Sequence, residues 1–443
     1  MNTERGHRAG SAWAMICGAL AALVVAGCAG PAKSPSSVTT TAARSTTRST
    51  LPADGGACSA QPPGCGSTQG TAESLAGFSW SAAPAPPLSP RIGQASVWTG
   101  TELLIWGGSE EDQGSALAGD GAAYDPVTRA WTPMPASPLS PRDNPFAAWT
   151  GTTALFWGGG GANGSLLMDG ASYDPASRTW AMLPTAPLRP DASNRQAIVW
   201  TGTQMVVIQP GAGAAFDPAT SSWTAVPTLP QVAGCQPFAI GAEWTGSEVI
   251  TWVAGRPPAV NGVIPSGYCY SAYSWVPGNQ AWAVVPSRPD YANFPSGTAA
   301  PIGGRLLFLG GSNCPPGVSC PVQDFFDGTW FDATSGTWTG LPETFSGGRG
   351  PAVWTGSAMV VFNTKAGATP GPPNRPSDVP PGAAAAFDPS GGAWTDLARC
   401  PVPDLANASL VWTGRQLIVV AMDDESGDTP QVEMLSPPVR DSK

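Results

Sequence analysis

Histidine, the side chain most often used for acid–base catalysis and transition-metal binding, occurs only once in the 443 residues, as His7. His7 lies in an N-terminal segment that we expect to be removed from the mature protein. The sequence therefore excludes histidine-dependent nucleophile activation and the usual zinc and copper ligand sets. Lysine is nearly absent as well, with Lys33, Lys365 and Lys443 as its occurrences. The remaining chemistry must use carboxylates, tyrosine or arginine.

Two acidic segments are candidates for a calcium site, because Ca²⁺ prefers oxygen ligands. They comprise Glu110, Glu111, Asp112 and Asp120, and Asp423, Asp424, Glu425 and Asp428. Neither has the spacing of a known calcium loop, which favours the alternative of a solvated acidic rim, and no other cofactor is predicted. The net charge of −10 argues against a nucleic-acid partner, since phosphate binding needs clustered Lys and Arg.

The N-terminus has Arg5 and Arg8 ahead of an apolar run that is too short for a spanning helix. This pattern predicts a secretory signal peptide over 1–27. The end of the run, Val25-Ala26-Gly27-Cys28, resembles the lipobox of bacterial lipoproteins. The resemblance implies that Cys28 carries a lipid such as palmitate and anchors the chain at the outer face of the cell membrane. Plain secretory cleavage near Gly27 is the alternative.

Residues 28–75 are rich in Ser, Thr, Pro, Ala and Gly and predict a disordered stalk. An oxidising compartment beyond the membrane would permit disulfide bonds. Proximity suggests the pairs Cys58–Cys65, Cys235–Cys269 and Cys314–Cys320, with Cys400 left over, although sequence alone does not determine connectivity.

Two motifs alternate along the rest of the chain. The first is VWTGTELLIWGG at 97–108, with relatives at 148–160, 199–211, 353–363 and 411–420. The second is AAYDPVTRAW at 122–131, in which a tryptophan follows the Asp position by six residues. Each motif reads as a β-hairpin, the first closed by Thr-Gly and the second by Asp-Pro. Closing tryptophans at 131, 180, 223, 282, 338 and 394 recur every 43 to 59 residues, the size of a propeller blade.

This pattern of an apolar strand, a glycine doublet, and then a Tyr and a Trp at fixed offsets resembles the kelch repeat. The doublet stands as Gly107-Gly108, Gly158-Gly159 and Gly310-Gly311. The resemblance covers about 75–440 and implies an all-β, seven-bladed kelch-type propeller, similar to that of galactose oxidase, over 76–440. Copper radical oxidases of that type need histidine ligands, which this chain cannot supply. The tryptophans fall in repeat positions, so we expect them to be structural.

Hairpins of the first type number seven, but only six closing tryptophans follow them. The hairpins stand at Trp98, Trp149, Trp200, Trp244, the degenerate Pro301, Trp354 and Trp412. The seventh closing tryptophan is Trp80, because FSWSAAPAPPLSPR (78–91) aligns with RAWTPMPASPLSPR (129–142). The last hairpin is followed by one further strand, QVEML at 431–435. We therefore expect the N-terminal strand to complete the seventh blade and close the ring, which would also bring the two acidic segments into neighbouring blades.

Arginines precede several innermost strands. Arg91 and Arg142 stand seven residues before the hairpin tryptophan, and Arg195 and Arg349 stand five before it. In kelch domains of ubiquitin-ligase adaptors, arginines at the position of Arg91 and Arg142 rim the central channel and bind acidic peptides. The resemblance thus implies a ligand-binding collar, since guanidinium groups suit carboxylates and sulfates. The favoured alternative is that they tie neighbouring blades to Asp or carbonyl groups.

The favoured function is a non-enzymatic, membrane-anchored binding or scaffold module for a glycan, peptide or envelope protein. The alternative is a histidine-independent sugar-modifying enzyme, because propellers similar to kelch include sialic acid mutarotases. Such an enzyme would place a buried carboxyl group of raised pKa beside Arg91 or Arg142.

Overall fold

The computed structural model describes 75, 77–110, 116–189, 196–231, 235–258, 269–286, 292–293, 298–302, 304–309, 312–313, 328–341, 351–362, 382–402, 405, 408–422 and 430–437. All of these residues belong to the part of the chain spanning 54–443. Within these ranges, no helix is long and apolar enough to cross a membrane.

The regular secondary structure of the described residues is β-strand, apart from one short 3₁₀ helix at Ala162–Gly164. The strands of the first half are β1 (Ser79–Ala83), β2 (Ala95–Trp98), β3 (Leu103–Trp106), β4 (Ser109–Glu110), β5 (Ala116–Leu117), β6 (Gly121–Asp125), β7 (Ala130–Pro133), β8 (Phe146–Trp149), β9 (Ala154–Trp157), β10 (Gly170–Asp174), β11 (Thr179–Met182), β12 (Ala197–Trp200), β13 (Met205–Gln209), β14 (Ala212–Asp217) and β15 (Ser222–Ala225).

The strands of the second half are β16 (Gln236–Trp244), β17 (Val249–Arg256), β18 (Cys269–Trp275), β19 (Ala283–Val285), β20 (Ala292–Asn293), β21 (Thr298–Ile302), β22 (Arg305–Leu309), β23 (Ser312–Asn313), β24 (Gly328–Asp332), β25 (Thr337–Gly340), β26 (Ala352–Trp354), β27 (Met359–Phe362), β28 (Ala384–Asp388), β29 (Ala393–Leu397), β30 (Ser409–Trp412), β31 (Leu417–Ala421) and β32 (Gln431–Ser436).

Seven antiparallel four-stranded sheets form the blades of a β-propeller, which confirms the predicted fold. Blade 1 has the order β2-β3-β6-β7, and blades 2 to 6 repeat this pattern along the chain. Blade 7 has the order β30-β31-β32-β1, so its outermost strand comes from the N-terminal side of the ring. Ser79 pairs with Ser436 and Ser81 with Met434, so the predicted closure is confirmed. Two short ladders, β4 with β5 and β20 with β23, lie outside the blades.

Seven apolar clusters of described residues hold the ring together, and each joins two neighbouring blades. Phe156 of blade 2 packs with Trp106 of blade 1, for example, and Val419 of blade 7 packs with Phe362 of blade 6. The second strand of most blades is buried along its whole length, because both faces of each sheet contact another blade. The clusters thus form a continuous core around the ring.

Each Thr-Gly hairpin is fixed by its threonine. The Thr99 hydroxyl accepts a hydrogen bond from the Glu102 amide at 2.9 Å, while Gly100 adopts a φ of +96°. Thr150, Thr201, Thr245, Thr355 and Thr413 repeat this contact at 2.9 to 3.1 Å. Glycine is needed because a side chain would be strained at that φ.

The Asp-Pro hairpins use their aspartate as a backbone acceptor. Asp174 Oδ1 accepts from the Ala176 amide at 2.8 Å. The Ser177 hydroxyl and this amide, donating to the carboxylate, lower the pKa of Asp174 below its ordinary value. Asp125, Asp217, Asp332 and Asp388 accept an equivalent bond at 2.8 to 2.9 Å. These aspartates therefore shape turns.

Closing tryptophans link consecutive blades. The Trp131 ring packs on Tyr124 across the hairpin at 4.9 Å between centroids, and its indole N–H donates to the Pro84 carbonyl at 2.8 Å. The same bond recurs in blades 2 to 5, at 2.7 to 3.1 Å. Its acceptor is always the carbonyl of the residue four positions after the closing tryptophan of the preceding blade, and its donors are Trp180, Trp223, Trp282 and Trp338. Trp80 makes the equivalent bond to Ala398 at 2.8 Å, so the same contact seals the closing blade.

Candidate functional site

The two ends of the propeller differ in their connections. The tight-turn face carries the Thr-Gly and Asp-Pro hairpins. The wide-loop face carries the loops between the second and third strands of each blade and the linkers from one blade to the next. Because β1 runs antiparallel to β32, it begins at the tight-turn face, where Ser79 pairs with Ser436. Phe78, which directly precedes β1, therefore lies towards that face, and we take the opposite, wide-loop face as the candidate site.

Arg91 lies at the wide-loop end of blade 1 with only 1% of its side chain exposed. Its Nη1 contacts Asp120 Oδ1 at 2.6 Å and the Gly107 carbonyl at 3.4 Å, and its Nε donates to the Ser89 carbonyl at 2.9 Å. Its Nη2 donates to Ser89 Oγ at 2.7 Å and reaches Asp120 Oδ2 at 3.5 Å. All five guanidinium N–H groups are therefore engaged within the protein.

Arg142 repeats this arrangement in blade 2 with 0% of its side chain exposed. It pairs with Asp169 at 2.8 Å and donates to the Ser140 carbonyl, the Ser140 hydroxyl and the Gly158 carbonyl. Its guanidinium also lies 6.0 Å from the centre of the Trp106 ring in blade 1. The Arg142 side chain thus bonds to Asp and carbonyl groups, as in the alternative weighed from the sequence, but these groups belong to blade 2 and its linker; the bond to blade 1 is made by the Arg142 backbone N–H, which donates to the Ala118 carbonyl at 3.2 Å.

The glycine doublet of blade 1 makes room for Arg91. A Cβ on Gly108 would come within 2.9 Å of the Ile92 carbonyl oxygen and 3.2 Å of Arg91 Cδ. Gly107 adopts a φ of +76°, and its carbonyl accepts from Arg91. The doublet and the arginine therefore form one structural unit, which is present in blades 1 and 2.

Most of the acidic candidates lie outside the described residues. Of the eight, Glu110 and Asp120 are described: Glu110 accepts from the Ser89 hydroxyl at 2.6 Å, and Asp120 pairs with Arg91. Within the described ranges, no group of three His, Cys, Asp or Glu side chains is placed to hold a metal ion. The other six candidates, together with Arg195, Arg349 and Cys28, fall outside those ranges.

The disulfide between Cys235 and Cys269 is present in blade 4, with its Cα atoms 6.1 Å apart. It joins the residue before β16 to the first residue of β18, at the wide-loop end of the longest strands of the ring. Cys400 is free and buried, and burial raises the pKa of its thiol to about 12. Cys58, Cys65, Cys314 and Cys320 lie outside the described residues.

Three carboxamides at the wide-loop end of the innermost strands were not singled out from the sequence. We call Gln94, Asn144 and Gln196 the carboxamide arc; they precede β2, β8 and β12 in three consecutive blades. Asn144 is exposed, and the two glutamines are half-buried. Alignment could have revealed the two glutamines, because Gln94 and Gln196 both stand four residues before the hairpin tryptophan, whereas Asn144 stands five before its tryptophan.

Contacts place Asn144 and Gln94 side by side at the mouth of the ring, and Gln196 stands at the same end of the innermost strand of blade 3. The backbone N–H of Asn144 donates to the Gly93 carbonyl at 2.6 Å, and this bond brings Asn144 next to Gln94. Gln94 Nε2 in turn donates to Ser409 Oγ of blade 7 at 3.4 Å. Asn144 adopts a φ of +47°, where its blade 1 counterpart is Gly93 at +66°. An amide side chain thus stands at a position that a glycine would occupy with less strain.

No protein-family model matches this chain, and a search of curated proteins found no sufficiently similar sequence.

Proposed function

We propose that the protein is a kelch-type propeller lipoprotein, anchored through Cys28 at the outer face of the cell membrane, that binds a glycan, peptide or envelope protein on its wide-loop face. The observation that carries this proposal is the closure of blade 7 by β1. Because of this closure, β1 begins at the tight-turn face, where we expect the tether to be attached. A tether attached there leaves the opposite face pointing away from the membrane and open to a ligand.

Two further features support the proposal. The Cys235–Cys269 disulfide is typical of a protein folded in an oxidising compartment. The saturated arginines and interblade tryptophans make a rigid frame beneath the loops, and rigid scaffolds with variable loops suit recognition.

The mutarotase-like alternative has no observation of its own in its favour. It calls for a carboxyl group of raised pKa beside Arg91 or Arg142. Among the described carboxyl groups, burial raises the pKa of Glu433. Glu433 lies on the side of blade 7 that packs against blade 6, because its neighbours Val432 and Met434 in the strand face blade 1.

Palmitate labelling of intact cells tests the anchor, and we expect Cys28→Ala to abolish the label and release the protein. Limited proteolysis of whole cells tests the orientation. Sites in the loop 363–381 should be cut faster than sites at the Asp-Pro hairpins, and protection of that loop would contradict the proposal. Failure of the purified protein to bind any member of a glycan array, a peptide library or an envelope extract would refute the binding role.

A further inference from the structure

The charged side chains in the described wide-loop ends of blades 1 and 2 do not favour an anionic ligand. Arg91 and Arg142 are buried, and their N–H groups are all engaged. The carboxylates beside them, Asp120 and Asp169, are 62% and 46% exposed. On this face of blades 1 to 3, the exposed arginine among the described residues is Arg189. Over the described residues, the surface that a ligand meets at blades 1 and 2 is therefore acidic or neutral.

The carboxamide arc supplies neutral groups that both donate and accept hydrogen bonds. Gln196 Oε1 is buried and has no hydrogen-bond partner among the described residues. Gln209, 4% exposed, stands across from Gln196 at the end of β13, and its Nε2 likewise lacks a partner in the described structure. Turning the Gln196 amide towards a ligand would therefore break no protein hydrogen bond at that oxygen.

A carboxamide matches a hydroxyl group better than it matches an ion. The oxygen of a carboxamide accepts a hydrogen bond from one hydroxyl group while its nitrogen donates to a neighbouring hydroxyl group. A carboxylate can only accept and an ammonium group can only donate, so each would satisfy only half of the carboxamide. Vicinal hydroxyl groups of a sugar ring present this alternation repeatedly. An extended peptide would also need pockets for its side chains, whereas the arc is polar throughout.

We propose that the carboxamide arc of Gln94, Asn144 and Gln196 binds an uncharged, hydroxyl-rich glycan at the mouth of the propeller. This inference rests on the proposed function and narrows it to one site and one class of ligand. Asn144 is central to it, because it is the exposed member of the arc and its left-handed backbone, at a φ of +47°, is one that few residues other than glycine and asparagine adopt.

The test uses the purified full-length protein on an array of neutral oligosaccharides, with sialylated and sulfated counterparts and an acidic peptide as competing probes. The neutral oligosaccharide that binds most tightly is then titrated by calorimetry into the unmodified protein and into the variants Asn144→Gly and Gln196→Leu. We expect each substitution to weaken binding about three- to tenfold, the effect of losing one hydrogen bond. Asn144→Gly should leave the melting temperature equal or higher, since glycine relieves the positive φ.

Gln204→Leu is the matched control, because Gln204 is half-buried at a Thr-Gly turn on the opposite face. The affinity of this variant for the oligosaccharide should equal that of the unmodified protein. Raising the salt concentration should change the affinity of the unmodified protein little, because the ligand is uncharged. Unchanged affinity in both Asn144→Gly and Gln196→Leu, or no binding of any neutral oligosaccharide, would overturn the inference. Binding of the acidic peptide alone would overturn the inference and leave the proposed function standing, whereas no binding of these probes or of an envelope extract would remove both.

Discussion

The ion pair between Arg142 and Asp169 should contribute a coupling free energy of about 2 kcal/mol to folding. Two unit charges about 4 Å apart attract by about 4 kcal/mol at an effective dielectric constant of 20 and by about 1 kcal/mol in water. With side-chain exposures of 0% and 46%, this pair lies between those limits. A pair between two exposed side chains contributes less than about 1 kcal/mol.

A double-mutant cycle of Arg142→Met, Asp169→Asn and the double variant measures this coupling. The assay is urea unfolding of the oxidised protein followed by tryptophan fluorescence. Each single substitution should cost about 2–4 kcal/mol. Arg142→Met removes the donor to the Ser140 and Gly158 carbonyls, whereas Asp169→Asn leaves a buried guanidinium without its counter-charge. The double variant should be less destabilised than the sum of the two.

The Arg305–Asp332 pair of blade 5 is the matched control. Its atoms are 3.2 Å apart, but the arginine is 48% exposed. The same substitutions there should give a coupling below about 0.5 kcal/mol. Equal coupling in the two cycles would refute the reasoning that Arg142 is a buried tie, as would a coupling below about 0.5 kcal/mol for Arg142 and Asp169.

Three further variants test the closure of the ring, a half-buried carboxyl group and the disulfide. Phe78→Ala should cost about 3 kcal/mol and speed alkylation of Cys400, because both pack in the cluster between blades 6 and 7; peptide-resolved mass spectrometry would show unchanged labelling if the closing strand were irrelevant. Glu433→Gln should raise the melting temperature at pH 7. Burial raises the pKa of Glu433 in the folded state, so protonation of this carboxyl group stabilises the fold at low pH. This contribution is lost as the pH rises through the folded-state pKa, and glutamine, which carries no charge, avoids the loss. The gain should vanish in melts below about pH 4, and a gain that is constant with pH would contradict this origin. Replacing Cys235 and Cys269 together by serine should cost about 3–4 kcal/mol, since the bond spans 34 positions; urea unfolding with an unshifted midpoint would count against it.

Much of the fold was predictable because strand pairing in a propeller blade is local. Each Thr-Gly or Asp-Pro signal joins strands that are adjacent in sequence, so the motif spacing predicts the sheet. The pairing of β1 with β32 is long-range, yet the unmatched Trp80 predicted it by counting. Pro301, in the degenerate fifth hairpin, also pairs as predicted, with Leu306.

The candidate site was less predictable. The sequence showed that Arg91 and Arg142 precede innermost strands. Their ion-pair partners, Asp120 and Asp169, lie 29 and 27 positions further along the chain, so only the folded structure shows that the arginines are paired. The carboxamide arc was missed because Gln and Asn have no characteristic spacing. Its signal was positional, since Gln94 and Gln196 occupy the same place in two repeats.

The sequence by itself determined the number of blades, the order of their strands and the way the ring closes, because these follow from hairpins that repeat along one chain. Only the tertiary structure decided which polar side chains remain accessible to a ligand. Burial and hydrogen-bond saturation depend on groups contributed by other strands and neighbouring blades, and no periodicity within one repeat encodes them. For this reason the arginines became part of the frame, while the amides at the mouth became the candidate for recognition.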